Sequence, residues 1–95
     1  MKLLAIMRPE NARDVRAEVA GHAAAELRAL WELYKKGIVR EMYSPGDPGA
    51  MLILEADSLK EAERALATKP LLAGGIMGLG MIELRPFGAL EMLFS

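Results

Sequence analysis

Cysteine is absent from these 95 residues, which excludes disulfide bonds, thiol nucleophiles and cysteine-ligated zinc together. A single histidine excludes a multi-histidine metal centre within one chain. Long hydrophobic runs are also missing. The longest stretch without a charge, Pro70 to Ile82, is 13 residues long, against the ~20 that a bilayer-spanning helix needs. The opening MKLLAIMRPE has an apolar run of five that ends at Arg8, too short for the core of a signal peptide. Nor does one sign of charge dominate: 12 Lys and Arg face 13 Asp and Glu, well interspersed, so no field draws in nucleic acid or an anionic membrane. These absences predict a cytoplasmic protein with no membrane or nucleic-acid partner.

What is present is apolar surface, 53% of the residues. A folded monomer of this size buries roughly 60 to 70% of what its unfolded chain exposes, and so much apolar sequence argues for a homo-dimer or higher homo-oligomer. One domain over residues 1–95 is expected.

Lys2 to Met7 is a short apolar run halted at Arg8-Pro9, an opening strand. Asn11 offers an N-cap to a long proline-free segment that reaches Lys36 and stops at Gly37. At about 100° per residue, Val15, Val19, Ala23, Leu27, Leu30, Leu33 and Tyr34 form one wide stripe, with Arg13, Arg28, Lys35 and Lys36 away from its centre. Ile38 to Tyr43 and Ala50 to Ala56 read as two strands of a hairpin around the turn Ser44 to Gly49. Asp57-Ser58 with Glu61 is a capping box for a second helix that ends before Pro70. A glycine-rich loop then leads to a last strand, Met81 to Arg85, and ALEMLF adds an extended tail. The order βαββαβ predicts an α+β, ferredoxin-like fold: an antiparallel four-stranded sheet with two helices on one face. Ala50 to Leu54 is apolar on both faces of its strand, so the face without helices needs a second sheet, as in a dimeric α/β barrel. Residues 88–95 are expected to serve as an interface tail on a neighbouring subunit.

The sharpest polar feature is Glu18, His22 and Glu26, spaced four apart along one flank of the apolar stripe. A carboxylate beside an imidazole stabilises the charged ring, and burial penalises an ionised carboxylate; both effects suit proton transfer near neutrality. The plainer reading is a solvated pair on a helix edge. Arg40 on a strand is a candidate for a bidentate grip on a substrate carboxylate, with a cross-strand pair to Glu55 as the alternative. Tyr43 and Tyr34 are candidate substrate-lining residues, and Trp31 is assigned to packing. The glycines of AGGIMGLG fail as a phosphate loop, because no helix start follows them. Ser44, Ser58 and Ser95 occupy a turn, a cap and the terminus, so no Ser-His-Asp set can be assembled.

The order of elements resembles the muconolactone isomerase family of dimeric α/β barrels. Several short strings carry the likeness: Glu32-Leu33 before Gly37, Arg40 with Tyr43, Asp57-Ser58, Pro70-Leu71, and Ile82-Glu83 with Pro86. The resemblance implies a proton-moving glutamate at Glu26, a higher oligomer built from barrel dimers, and a site near subunit boundaries. A longer, glycine-rich loop from Leu72 to Gly80, a histidine at position 22, where the family is apolar, and fewer aromatics in the second strand bear on the substrate more than on the fold. The expected activity is cofactor-independent proton transfer on a lactone or related small carbonyl compound. Glu26 would carry the proton, His22 would assist, Arg40 would hold a carboxylate or enolate oxygen, and neither a metal nor an organic cofactor is required. A non-catalytic ligand-binding or assembly module is the alternative from another class. A cofactor-free or haem-dependent monooxygenase, with His22 as the available imidazole, is the third.

Overall fold

The structure, a computed structural model, describes residues 1–9, 14–46 and 48–94. In chain order it contains β1 (Lys2–Pro9), α1 (Arg16–Lys35), β2 (Val39–Tyr43), β3 (Ala50–Glu55), α2 (Leu59–Ala67), α3 (Pro70–Ala73), β4 (Met77–Leu84) and a C-terminal 3-10 helix (Gly88–Leu93). The strands pair antiparallel in the order β2-β3-β1-β4. This is the ferredoxin-like α+β arrangement that the sequence predicts.

Strand alternation divides the sheet. Leu3, Ala5 and Met7 of β1 stand beside Leu54, Leu52 and Ala50 of β3, and all but Ala50 are fully buried beneath the helices. Val15 and Leu33 from the first helical segment, Ala62 and Leu66 from α2, and Leu71 from α3 close this core from above. Each fully buried leucine contributes about 2 kcal/mol relative to exposure. The alternate residues Leu4, Ile6, Met51, Ile53 and Ile82 form the opposite face, and Ile82 there is 55% exposed.

Local rules explain most boundaries. Gly37, at φ +79°, ends α1: Ile38 N–H donates to the Leu33 carbonyl and Gly37 N–H to that of Tyr34, both at 3.0 Å, a Schellman closure that needs a left-handed residue. Ser58 caps α2 by accepting from Glu61 N–H at 3.0 Å, while the Glu61 carboxylate accepts from Asp57 N–H at 3.2 Å.

Three expectations need correction. The segment after α2 is not all loop: Pro70 starts the one-turn helix α3, where its missing N–H costs nothing. The last strand begins at Met77 rather than Met81, because Met77, Gly78 and Leu79 pair with Pro9, Arg8 and Met7 of a β1 that is itself longer than expected. The tail forms a 3-10 helix instead of an extended segment, with Phe87, Met92, Leu93 and Phe94 at least 75% exposed. The expected Asn11 cap and the exposed position of Arg13 lie outside the described residues; α1 is observed to start at Arg16 behind Val15, with no side-chain cap.

Candidate functional site

A cavity of about 210 Å³ lies beneath the middle of helix α1. Val19, Ala23, Glu26 and Leu30 form its helical wall, the stripe that the 3.6-residue period brings to one side. Met7 and Met77 form the floor on β1 and β4. Pro48 and Gly49, from the β2–β3 loop, also line it, as do Lys69 and Leu71. The loop can lie there only because residue 49 is glycine. A Cβ at that position would stand 2.8 Å from the Met7 carbonyl oxygen, and the backbone φ is +150°.

Glu26 is the acid of this cavity, and only 8% of the residue is exposed. Its Oε1 accepts from the Leu71 backbone N–H at 3.2 Å, so a side chain of α1 satisfies one of the donors that the start of α3 leaves open. Its Oε2 pairs with the Nζ of Lys69, a residue just 1% exposed. Thus a carboxylate and an ammonium meet inside an otherwise apolar chamber. Burying two charges is expensive, and their mutual attraction offsets the cost only when the geometry is good and the remaining donors and acceptors find partners.

Lys69 was not singled out in the sequence. It lies between Thr68 and Pro70, where a cation reads as a solvated helix end. One signal was available: no acidic residue stands three or four positions on either side, so its partner had to come from elsewhere in the fold.

The expected convergence of Glu26, His22 and Arg40 does not occur, since Glu26 alone of the three lines the cavity. Val19 and Ala23, seven and three residues before Glu26, occupy the wall, which leaves His22 exposed at its edge. The His22 Nδ1 lies 2.9 Å from the Glu18 carbonyl oxygen, an acceptor, which assigns the ring proton to Nδ1. Arg40 is the extra residue of a β-bulge between Val39 and Glu41, and its Nε donates to the Gly37 carbonyl at 2.7 Å instead of pairing with Glu55. Glu55 meets the chain's amino terminus at 3.3 Å.

Tyr43 lies exposed on β2, where its hydroxyl donates to Glu41 Oε1 at 2.5 Å. That hydrogen bond, and the charge behind it, hold the phenol proton and push the Tyr43 pKa above its ordinary value. Tyr34 stacks on Trp31 with ring centroids 5.6 Å apart, on the solvent side of α1. Neither tyrosine lines the cavity. Among the described residues, no cluster of His, Cys, Asp and Glu could hold a metal ion, and no helix is long and apolar enough to cross a membrane.

No family model matches the chain, and no curated protein matches it. Among solved structures it is similar to the 5-chloro-2-hydroxyhydroquinone dehydrochlorinase of Burkholderia phenoliruptrix, captured with 2,5-dihydroxybenzoquinone. The TM-score is 0.71 over 90% of this chain and 94% of that one, at 19% sequence identity. The likeness establishes that the two chains share a fold.

Proposed function

We propose that this protein is a small-molecule enzyme of the muconolactone isomerase type, moving a proton on a lactone or related small carbonyl compound without a cofactor. One observation carries the reading: Glu26, the one carboxylate lining the cavity among the described residues, is nearly sealed from water among apolar walls. A carboxylate so placed can take a proton from carbon and return it. The similar fold of an enzyme solved in complex with 2,5-dihydroxybenzoquinone supports a ligand-handling cavity. His22, Arg40, Tyr34 and Tyr43 lie outside this chamber and are assigned no step. Wild type and Glu26→Gln should be incubated with small lactones and ketones in deuterated water, following solvent-proton exchange by NMR. The variant is expected to lose about 100-fold in rate. Equal rates in the two proteins would remove Glu26 from the chemistry.

A second reading rests on a specific contact pair. Both oxygens of Glu26 are already engaged, by Lys69 and by Leu71 N–H, as a purely structural residue requires. In that case the chain is a ligand-binding or assembly module, and wild type shows no turnover with any of these compounds.

The chain is further proposed to work as a homo-oligomer built on a face-to-face dimer. The helix-free face of the sheet presents Leu4, Ile6, Met51, Ile53 and Ile82, and the tail from Gly88 adds Leu90, Met92, Leu93 and Phe94. So large an apolar surface on one small chain marks an interaction site. Sedimentation at micromolar concentration should give a dimer or larger, Ile53→Lys should give a folded monomer, and deletion from Gly88 onward should lower the mass or the melting temperature. A wild-type monomer would defeat the proposal.

A further inference from the structure

Building on the proton-transfer reading, we infer that the cavity takes a neutral carbonyl compound rather than one bearing a carboxylate, with the carbonyl oxygen held on the Lys69 ammonium. The inference comes from counting charges and donors. Lys69 has three N–H groups, and among the described residues Glu26 is its one ionic or hydrogen-bonding partner. Two donors therefore remain on a residue that lines a chamber whose other described side chains, Glu26 apart, are apolar. A carbonyl oxygen is the acceptor they lack.

The charges of Glu26 and Lys69 cancel. Among the described residues no cation besides Lys69 lines the cavity, so a ligand carboxylate would bring a third charge with no counter-ion there. A neutral lactone or ketone leaves the balance intact. Size agrees with this choice: an apolar cavity of about 150 Å³ holds benzene, so 210 Å³ accepts a five- or six-membered ring with a carbonyl and a small substituent.

The chemistry balances with these two groups. The Glu26 carboxylate removes a proton from the carbon beside the carbonyl, and the C–H electron pair shifts onto the carbonyl oxygen as an enolate. Glu26 becomes neutral at the moment the enolate becomes negative, so the Lys69 ammonium exchanges one counter-charge for another and is never left unpaired. Return of the proton from Glu26 to a different carbon of the conjugated system completes an isomerisation, with no oxidant or reductant consumed.

The test compares two lactones of one ring type: α-angelica lactone, which is neutral, and muconolactone, which carries a carboxylate. Binding is read from the methyl resonances of Met7 and Met77, both on the cavity floor. Wild type should bind α-angelica lactone at least ten-fold more tightly than muconolactone. Glu26→Gln leaves Lys69 as an uncompensated cation and should reverse that order. The double variant Glu26→Gln with Lys69→Met should bind α-angelica lactone at least ten-fold more weakly than wild type. Equal or tighter binding of muconolactone by wild type, or of neither lactone, would overturn the inference, and so would undiminished affinity in the double variant. Should either variant fail to fold, the wild-type comparison decides alone. Binding of α-angelica lactone without isomerisation or proton exchange would end the proton-transfer reading and leave the ligand class standing. Turnover with a preference for muconolactone would do the opposite.

Discussion

Two acids at and along the first helix make ion pairs in opposite surroundings. Asp14 pairs with Arg16 at 3.0 Å, with their side chains 66% and 76% exposed. Glu26 pairs with Lys69 where the corresponding exposures are 11% and 1%. In water the attraction is screened and the pair adds little to stability. In the cavity both ions lose their hydration, and an apolar pair of similar volume would serve the fold as well or better. The exposed pair thus needs no explanation beyond local geometry. The buried one calls for a reason outside stability, and the ligand proposed above would supply it.

Breaking the buried pair from one side should produce the largest effect. Lys69→Met strands the Glu26 carboxylate in an apolar chamber and should destabilise by about 3 to 5 kcal/mol, read from urea unfolding. Replacing both partners, Glu26→Leu with Lys69→Met, should recover part of that loss. The Leu71 N–H then lacks its acceptor, which limits recovery by about 1 to 3 kcal/mol. Equal losses in the single and double variants would show that something other than charge determines the site. A stable double variant without activity would separate the pair's chemistry from its place in the fold.

The β2–β3 loop lines the cavity that holds this pair, so the next expected effect lies at Gly49. Gly49→Ala sets a methyl 2.8 Å from the Met7 carbonyl oxygen and 3.1 Å from Pro45 Cγ. The loop must retreat, at a cost of about 1 to 3 kcal/mol in thermal unfolding. Lactone binding should fall with it, because water gains entry to the Glu26–Lys69 pair. An unchanged melting temperature would show that the loop adapts freely and that the chamber is not closed from that side.

The same contrast explains what could be read in the sequence. Features decided within one turn of helix or one strand were legible: the apolar stripe through Leu30 and Leu33, the Gly37 stop, and Ser58 with Glu61. The buried place of Glu26 was legible too, since its angle on the helix follows from the stripe. Lys69 was not, because its burial depends on Pro70 starting a separate turn that reaches under α1, a contact 43 residues away in sequence. The start of β4 was missed for a similar reason: Gly78 and Gly80 have no strand preference of their own, and pairing with Arg8 and Ile6 places them in the sheet. Arg40 was misjudged because a bulge, which alternation cannot register, redirects it toward Gly37. At the tail, alternation in ALEMLF suggests an extended segment, but among the described residues no neighbouring strand is there to hold it, and it coils into a 3-10 turn.

The exposed pair should yield the smallest effect. Arg16 donates to Asp14 from its guanidinium and also from its backbone N–H at 3.1 Å, and these bonds, the side-chain one foremost, hold the Asp14 carboxyl down at about 2. A depressed carboxyl stabilises the folded chain at pH values above its ordinary 3.8, and that contribution is lost as the pH falls through about 2. Arg16→Ala removes the guanidinium but keeps the backbone donor, so the Asp14 titration, followed by carboxyl carbon NMR, should move only part of the way back toward 3.8. Neutral-pH stability should hardly change, because solvent screens an exposed pair. A loss comparable to that of Lys69→Met would mean that Asp14 is as firmly built into the fold as Glu26, and the distinction between the two pairs would collapse.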